Sequence, residues 1–196
     1  MNLTSWWHYQ LARLLALFNQ HDRAVEELRE ALRIDPSNRL ATSTLGYLYG
    51  RLGRYPLAIE QFRHALSFEP NNAILLFDLG YVCHMQKDYE QAIQAFKDAV
   101  RLRPGIDRAW YGLGLALAST GRHEESAEAL GQAAALQPMN SYAWFELGMA
   151  YHTLDRREKL DEVTAHLNRF DPKMAQHLIK ATAVTAHSGG GAEEAR

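Results

Sequence analysis

Residues 73–106 read AILLFDLGYVCHMQKDYEQAIQAFKDAVRLRPGI, and the rest of the chain is built on this pattern. Leu76, Leu79, Gly80 and Cys83 fall at the i, i+3, i+4, i+7 spacing of one helix face, and Ala92, Phe96 and Ala99 form a second such stripe. Lys87-Asp88-Tyr89 interrupts the pattern between them, so the segment predicts a helix, a short turn and a second helix. Pro104 ends the second helix, because proline lacks an amide hydrogen and restricts the residue before it. The same proline recurs at Pro36, Pro70, Pro138 and Pro172, always at a step of 34 residues. At a background usage of about 5%, four further prolines at one fixed step arise by chance with a probability on the order of 10⁻⁵. The chain is therefore a repeat array.

Frames starting at Ser5, Arg39, Ala73, Asp107 and Ser141 align the remaining columns. Leu11, Leu45, Leu79, Leu113 and Leu147 share one column, and Ala12, Gly46, Gly80, Gly114 and Gly148 the next. Later columns hold Ala24, Ala58, Ala92 and Ser126, then Leu28, Phe62, Phe96 and Leu130, then Ala31, Ala65, Ala99 and Ala133. Small residues let two helix backbones approach, and the large columns fill the space beside them. The sixth proline, Pro56, falls in the first turn of a second helix, where a missing N–H is harmless.

Composition narrows the function. The 196 residues are 47% hydrophobic and 22% charged, with a formal net charge of −2, which excludes a chain disordered throughout and offers no basic footprint for nucleic acid. One cysteine cannot form an internal disulfide, which suits a reducing compartment. No apolar run approaches the roughly 18 residues of a membrane span, and Met1 to Gln10 lacks the marks of a secretory signal, so the expectation is a soluble cytoplasmic protein.

The five frames resemble the tetratricopeptide repeat over residues 5–172, with repeats at 5–38, 39–72, 73–106, 107–140 and 141–172. The resemblance implies an all-α, right-handed superhelical solenoid of helix-turn-helix hairpins, with about eleven helices. The departures are mostly terminal: His8 in the first repeat, and Leu160, Thr164 and Leu167 in the fifth. Residues 173–185 read as an amphipathic capping helix, with Met174, Leu178 and Ala181 on one side, closing an array that spans 1–186. The end, 187–196, is expected to be disordered.

No catalytic constellation emerges. Cys83 occupies a packing column with Leu15, Tyr49, Leu117 and Tyr151, and behaves there as a small hydrophobe. The nine histidines form no i, i+4 pair, so neither a metal site nor a cofactor is expected. Gly112-Leu113-Gly114 lies inside a helix with no strand before it, which excludes a phosphate loop.

In the resembled family, positions 2, 5, 6, 9, 12 and 13 of each first helix line a concave groove. Carried onto this chain, these positions give the candidate groove residues Tyr9, Arg13, Tyr47, Arg51, Phe77, Asp78, Tyr81, Arg108, Tyr111, Phe145 and Met149. Glu146 is one of the few further charges there. The lysine and asparagine clamp of family members that grip chaperone C-termini is absent, since positions 5 and 9 are Tyr9 and Arg13, Ser43 and Tyr47, or Phe77 and Tyr81. The implied function is a non-catalytic protein–protein interaction scaffold that takes apolar or aromatic anchors of a peptide or helix. The alternative is a targeting or regulatory subunit of an enzyme whose catalytic part lies on another chain. Positions 3, 10 and 14 face the preceding repeat. In the first repeat they are Trp7, Leu14 and Phe18, with no repeat to cover them, which predicts homo-oligomerisation or docking through the N-terminal face unless residues 1–4 fold back over it.

Overall fold

Asn19, Gly53, Lys87, Gly121 and Asp155 stand 34 residues apart, and all adopt positive φ, between 50° and 75°. Each is the hinge of a hairpin. The amide of the next residue reaches back to close the first helix: Gln20 to the Leu15 carbonyl, Arg54 to Tyr49, Asp88 to Cys83, Arg122 to Leu117 and Arg156 to Tyr151, at 2.9 to 3.0 Å. Glycine fills this position in only two of the five turns.

The computed structural model describes residues 2–188, which contain helices and no strand. The first helices of the hairpins are α1 (Leu3–Leu17), α3 (Arg39–Arg51), α5 (Ala73–Met85), α7 (Asp107–Ser119) and α9 (Ser141–Thr153). The second helices are α2 (His21–Ile34), α4 (Tyr55–Phe68), α6 (Tyr89–Leu102), α8 (His123–Leu136) and α10 (Arg157–Phe170), and α11 spans Pro172–Ser188. The predicted frame starts coincide with the starts of α3, α5, α7 and α9. Asn38, Asn72 and Asn140 cap their helices, each side-chain oxygen accepting from backbone amides one turn ahead. The same column holds Ile106 before α7, which makes no cap and is buried instead.

The chain divides into two compact units, Met1–Arg103 and Pro104–Arg196. In the first, hairpins α1–α2, α3–α4 and α5–α6 pack in succession, α2 on α3 and α4 on α5. The column of small residues does what its spacing predicts. A Cβ at Gly46 would lie 3.0 Å from the Phe62 ring, and one at Gly80 2.8 Å from Phe96, so the large residue of the second helix seats on the bare backbone of the first. A buried polar chain joins the first two hairpins. The Asn38 amide donates to Ser5 Oγ at 3.0 Å, and the Ser5 hydroxyl donates to the Ala31 carbonyl at 2.8 Å.

In the second unit, α7–α8 and α9–α10 repeat the arrangement, with α8 on α9. Gly114 receives Leu130, and Ser126, alone among the small residues of its column in carrying a hydroxyl, donates to the Gly114 carbonyl at 2.8 Å. Trp110 and Trp144 donate their indole N–H groups to the Pro104 and Pro138 carbonyls at 2.8 and 2.9 Å. Pro172 is the first residue of α11, and Asp171 caps that helix by accepting from the Met174 amide. Helix α11 lies against both α9 and α10, with Ala175 and Leu178 buried. It is longer than the capping helix expected at 173–185. Of the tail expected at 187–196, His187 and Ser188 belong to α11, and 189–196 lie outside the described residues.

Candidate functional site

In the first unit α3 and α5 touch, and Tyr47 and Tyr81 occupy the same position on the two helices. Both rings stay open to solvent, at 52% and 48% exposure. Arg51, at the last turn of α3, is exposed. Tyr9 on α1 is half-buried beneath the Arg13 guanidinium, 5.7 Å from the ring centre, and Arg13 also donates to Gln10 Oε1 at 3.2 Å. Phe77 is shared between groove and core: half-buried, it tilts against Phe96 at 6.1 Å. Asp78 follows it, half-buried. Among the candidates of this unit, Tyr47, Arg51 and Tyr81 are the freest to meet a ligand.

In the second unit α7 and α9 touch. Arg108 is exposed, and Tyr111, Phe145 and Met149 are half-buried, all three packed against the core of the unit. Phe145 stacks on His177 of α11, 4.9 Å between centres and 15° between planes, so one ring face is covered by the chain's own last helix. Burial pushes the Tyr111 phenol above its ordinary value, with the charge of Glu146 acting in the same direction. Glu146 itself is half-buried, and burial raises its carboxyl above the ordinary value, with no offsetting cation among the described residues. The sequence ranked Glu146 below its neighbours. The usable signal was that α9 contains no lysine or arginine at all.

The first helix presents a different surface. Trp7, Leu14 and Phe18 are 62%, 52% and 67% exposed, whereas Leu48, the second-repeat counterpart of Leu14, is 2% exposed. Leu11 and Leu3 extend this apolar face, and Trp7 stands edge-on to Trp6 at 5.3 Å. A shallow hollow is lined by Trp7, His8, Gln10, Leu11 and Leu14. Leu3 opens α1 and is exposed, so residues 2–4 do not fold back over the strip; Met1 lies outside the described residues. Leu11 was hidden in the sequence because its column is buried, or half-buried at Leu79, where a preceding repeat exists.

Elsewhere the chemistry is structural. Burial, helped by Asp88, pushes the Cys83 thiol up to about 11, so it stays protonated at neutral pH. His8, which departs from the repeat pattern, is explained by Glu27: the ring Nδ1 and the carboxylate lie 2.7 Å apart across the α1–α2 hairpin. On the second helices Arg29 pairs with Glu26 and Arg101 with the half-buried Asp98, surface ion pairs of the kind that contribute a few tenths of a kcal/mol. No helix among the described residues is long and apolar enough to cross a membrane.

Three family models described as tetratricopeptide repeat match residues 8–38, 43–107 and 84–144, together more than half of the chain. Among solved structures, a MamA protein is 24% identical with a TM-score of 0.83, the match covering 90% of this chain and 96% of that one. MamA from Desulfovibrio magneticus RS-1, from residue 41 to its end, is 22% identical with a TM-score of 0.79, over 92% and 98% of the two chains. YrrB, a TPR protein with an unusual peptide-binding site, is 26% identical with a TM-score of 0.78, over 88% and 90%. The two MamA likenesses speak to the fold alone. No protein of curated function matches the sequence.

Proposed function

Because the chain belongs to the tetratricopeptide repeat family, we propose that it is a non-catalytic interaction scaffold whose first helices bind a peptide or helix through apolar and aromatic anchors. The observation that carries this reading is the pair Tyr47 and Tyr81. Two large rings repeat at one position on touching helices and stay about half in water, although neighbouring columns are buried. Tyrosine combines broad contact area with a polar tip and little conformational entropy to lose, which makes it an economical anchor at an interface. Random peptides displayed on phage and selected on the purified chain test the reading. Tyr47→Ala with Tyr81→Ala weakens a selected peptide at least tenfold while helical circular dichroism persists. Selection that yields no binder, or binders indifferent to both substitutions, overturns it.

The N-terminal face supports a second docking surface, and the occupant we favour is a second copy of the chain. Trp7, Leu11, Leu14 and Phe18 present a strip without charge, and such a patch satisfies itself across a two-fold axis.

A further inference from the structure

Glu146 is a carboxylate that the fold half-buries and leaves unpaired. Among the described residues no hydrogen bond or ion pair holds it, and α9 carries no lysine or arginine, its one histidine, His152, standing in the last turn of the helix. Tyr142 lies one turn earlier on the same face of α9, because residues four apart are neighbours on a helix surface. Tyr111 of α7 packs against the clusters that hold Ala143 and Leu147 of α9, one on either side of Glu146 in the chain, and the charge of Glu146 adds to the burial that raises its phenol. Phe145 and Met149 pack with Tyr111 against the core of the unit, and the His177 ring stacks on Phe145, so Tyr111 is held in place while Tyr142, 65% exposed, is free to close over a bound side chain.

We infer that this part of the second unit is a subsite for a cationic side chain, a lysine or arginine of the bound peptide, with Glu146 as the counter-charge and Tyr111 and Tyr142 as aromatic walls. The charge logic selects the occupant. A partly desolvated carboxylate attracts a cation more strongly than one in open water, and the faces of tyrosine rings attract cations as well. An acidic or purely apolar anchor would leave Glu146 buried without a partner, an arrangement proteins and complexes avoid. A tyrosine side chain is never cationic, so Tyr111 and Tyr142 leave the carboxylate unopposed.

This inference rests on the first helices being a peptide surface, and the test separates the two. Phage-displayed random peptides are selected in parallel on the wild-type chain and on Glu146→Gln. Wild-type selection enriches lysine or arginine at one peptide position, and the variant selects peptides without that preference. The best wild-type peptide is then synthesised with its basic residue and with norleucine in its place. The basic peptide loses about tenfold in affinity on Glu146→Gln, whereas the norleucine peptide binds both proteins alike. Peptides that bind with no basic preference, or a basic peptide indifferent to Glu146→Gln, overturn the cation subsite and leave the scaffold reading standing. No binder to either protein overturns both.

Discussion

Glu146 bears on stability as well as on binding. Its carboxyl lies above the ordinary value in the folded chain, so folding takes up protons between the ordinary value and the raised one. The fold is therefore penalised when this group is ionised, and relieved when pH falls below the ordinary carboxylate range. Glu146→Gln, neutral at every pH and of similar shape, should melt higher than the wild type at pH 7. The gain should shrink as pH is lowered toward 4, which thermal melts followed by circular dichroism across that range will read. A gain independent of pH, or none, would contradict the desolvation described. The sequence could place Glu146 on an inner face by its repeat position, but not reveal that it is unpaired, since pairing depends on which side chains of α7 reach it. The hinges show the same limit. Gly53 and Gly121 announce a left-handed backbone, whereas Asn19, Lys87 and Asp155 adopt it at a cost of about 1 kcal/mol without a glycine to mark the spot.

Helix α11 explains why the fifth repeat departs from the others. In the internal hairpins the side chain seated on the glycine of the first helix comes from the second helix of the same hairpin, as Phe62, Phe96 and Leu130 do. At Gly148 it comes from Leu178 of α11, 2.6 Å from where a Cβ would stand. Relieved of that task, α10 carries Thr164, whose hydroxyl donates to the Leu160 carbonyl at 2.8 Å, and Leu167, fully buried where other repeats have alanine. The sequence exposed the deviation and predicted a capping helix, but which helix filled the gap required the packing. Leu178→Ala should destabilise the chain by about 3 kcal/mol, since it empties a fully buried site. Gly148→Ala should destabilise by about 1–3 kcal/mol alone and by much less in the Leu178→Ala background. Denaturant unfolding of the four proteins measures that coupling, and additive effects would mean that the two residues do not meet.

The period of 34 made the hairpins, their boundaries and most of the buried columns readable before any coordinates, because every internal repeat meets the same surroundings. What the period cannot show is where those surroundings stop. Leu11 is exposed although Leu45, Leu113 and Leu147 of its column are buried, and Trp7, Leu14 and Phe18 stand where Ala41 and Leu48 are covered by a preceding repeat. If a second copy covers this face, the wild-type chain has the mass of a dimer in light scattering and Trp7→Glu that of a monomer, since a buried unpaired charge is not tolerated at an apolar contact. Equal masses would reject the N-terminal face as the contact. The indoles also differ in their surroundings. Trp110 and Trp144 are half-buried and tied to the carbonyls of Pro104 and Pro138, while Trp7 stands in water. A water-borne quencher should therefore extinguish the emission of Trp7 first and leave the light of the second unit, so the chain carries its own spectroscopic reporters and needs no dye.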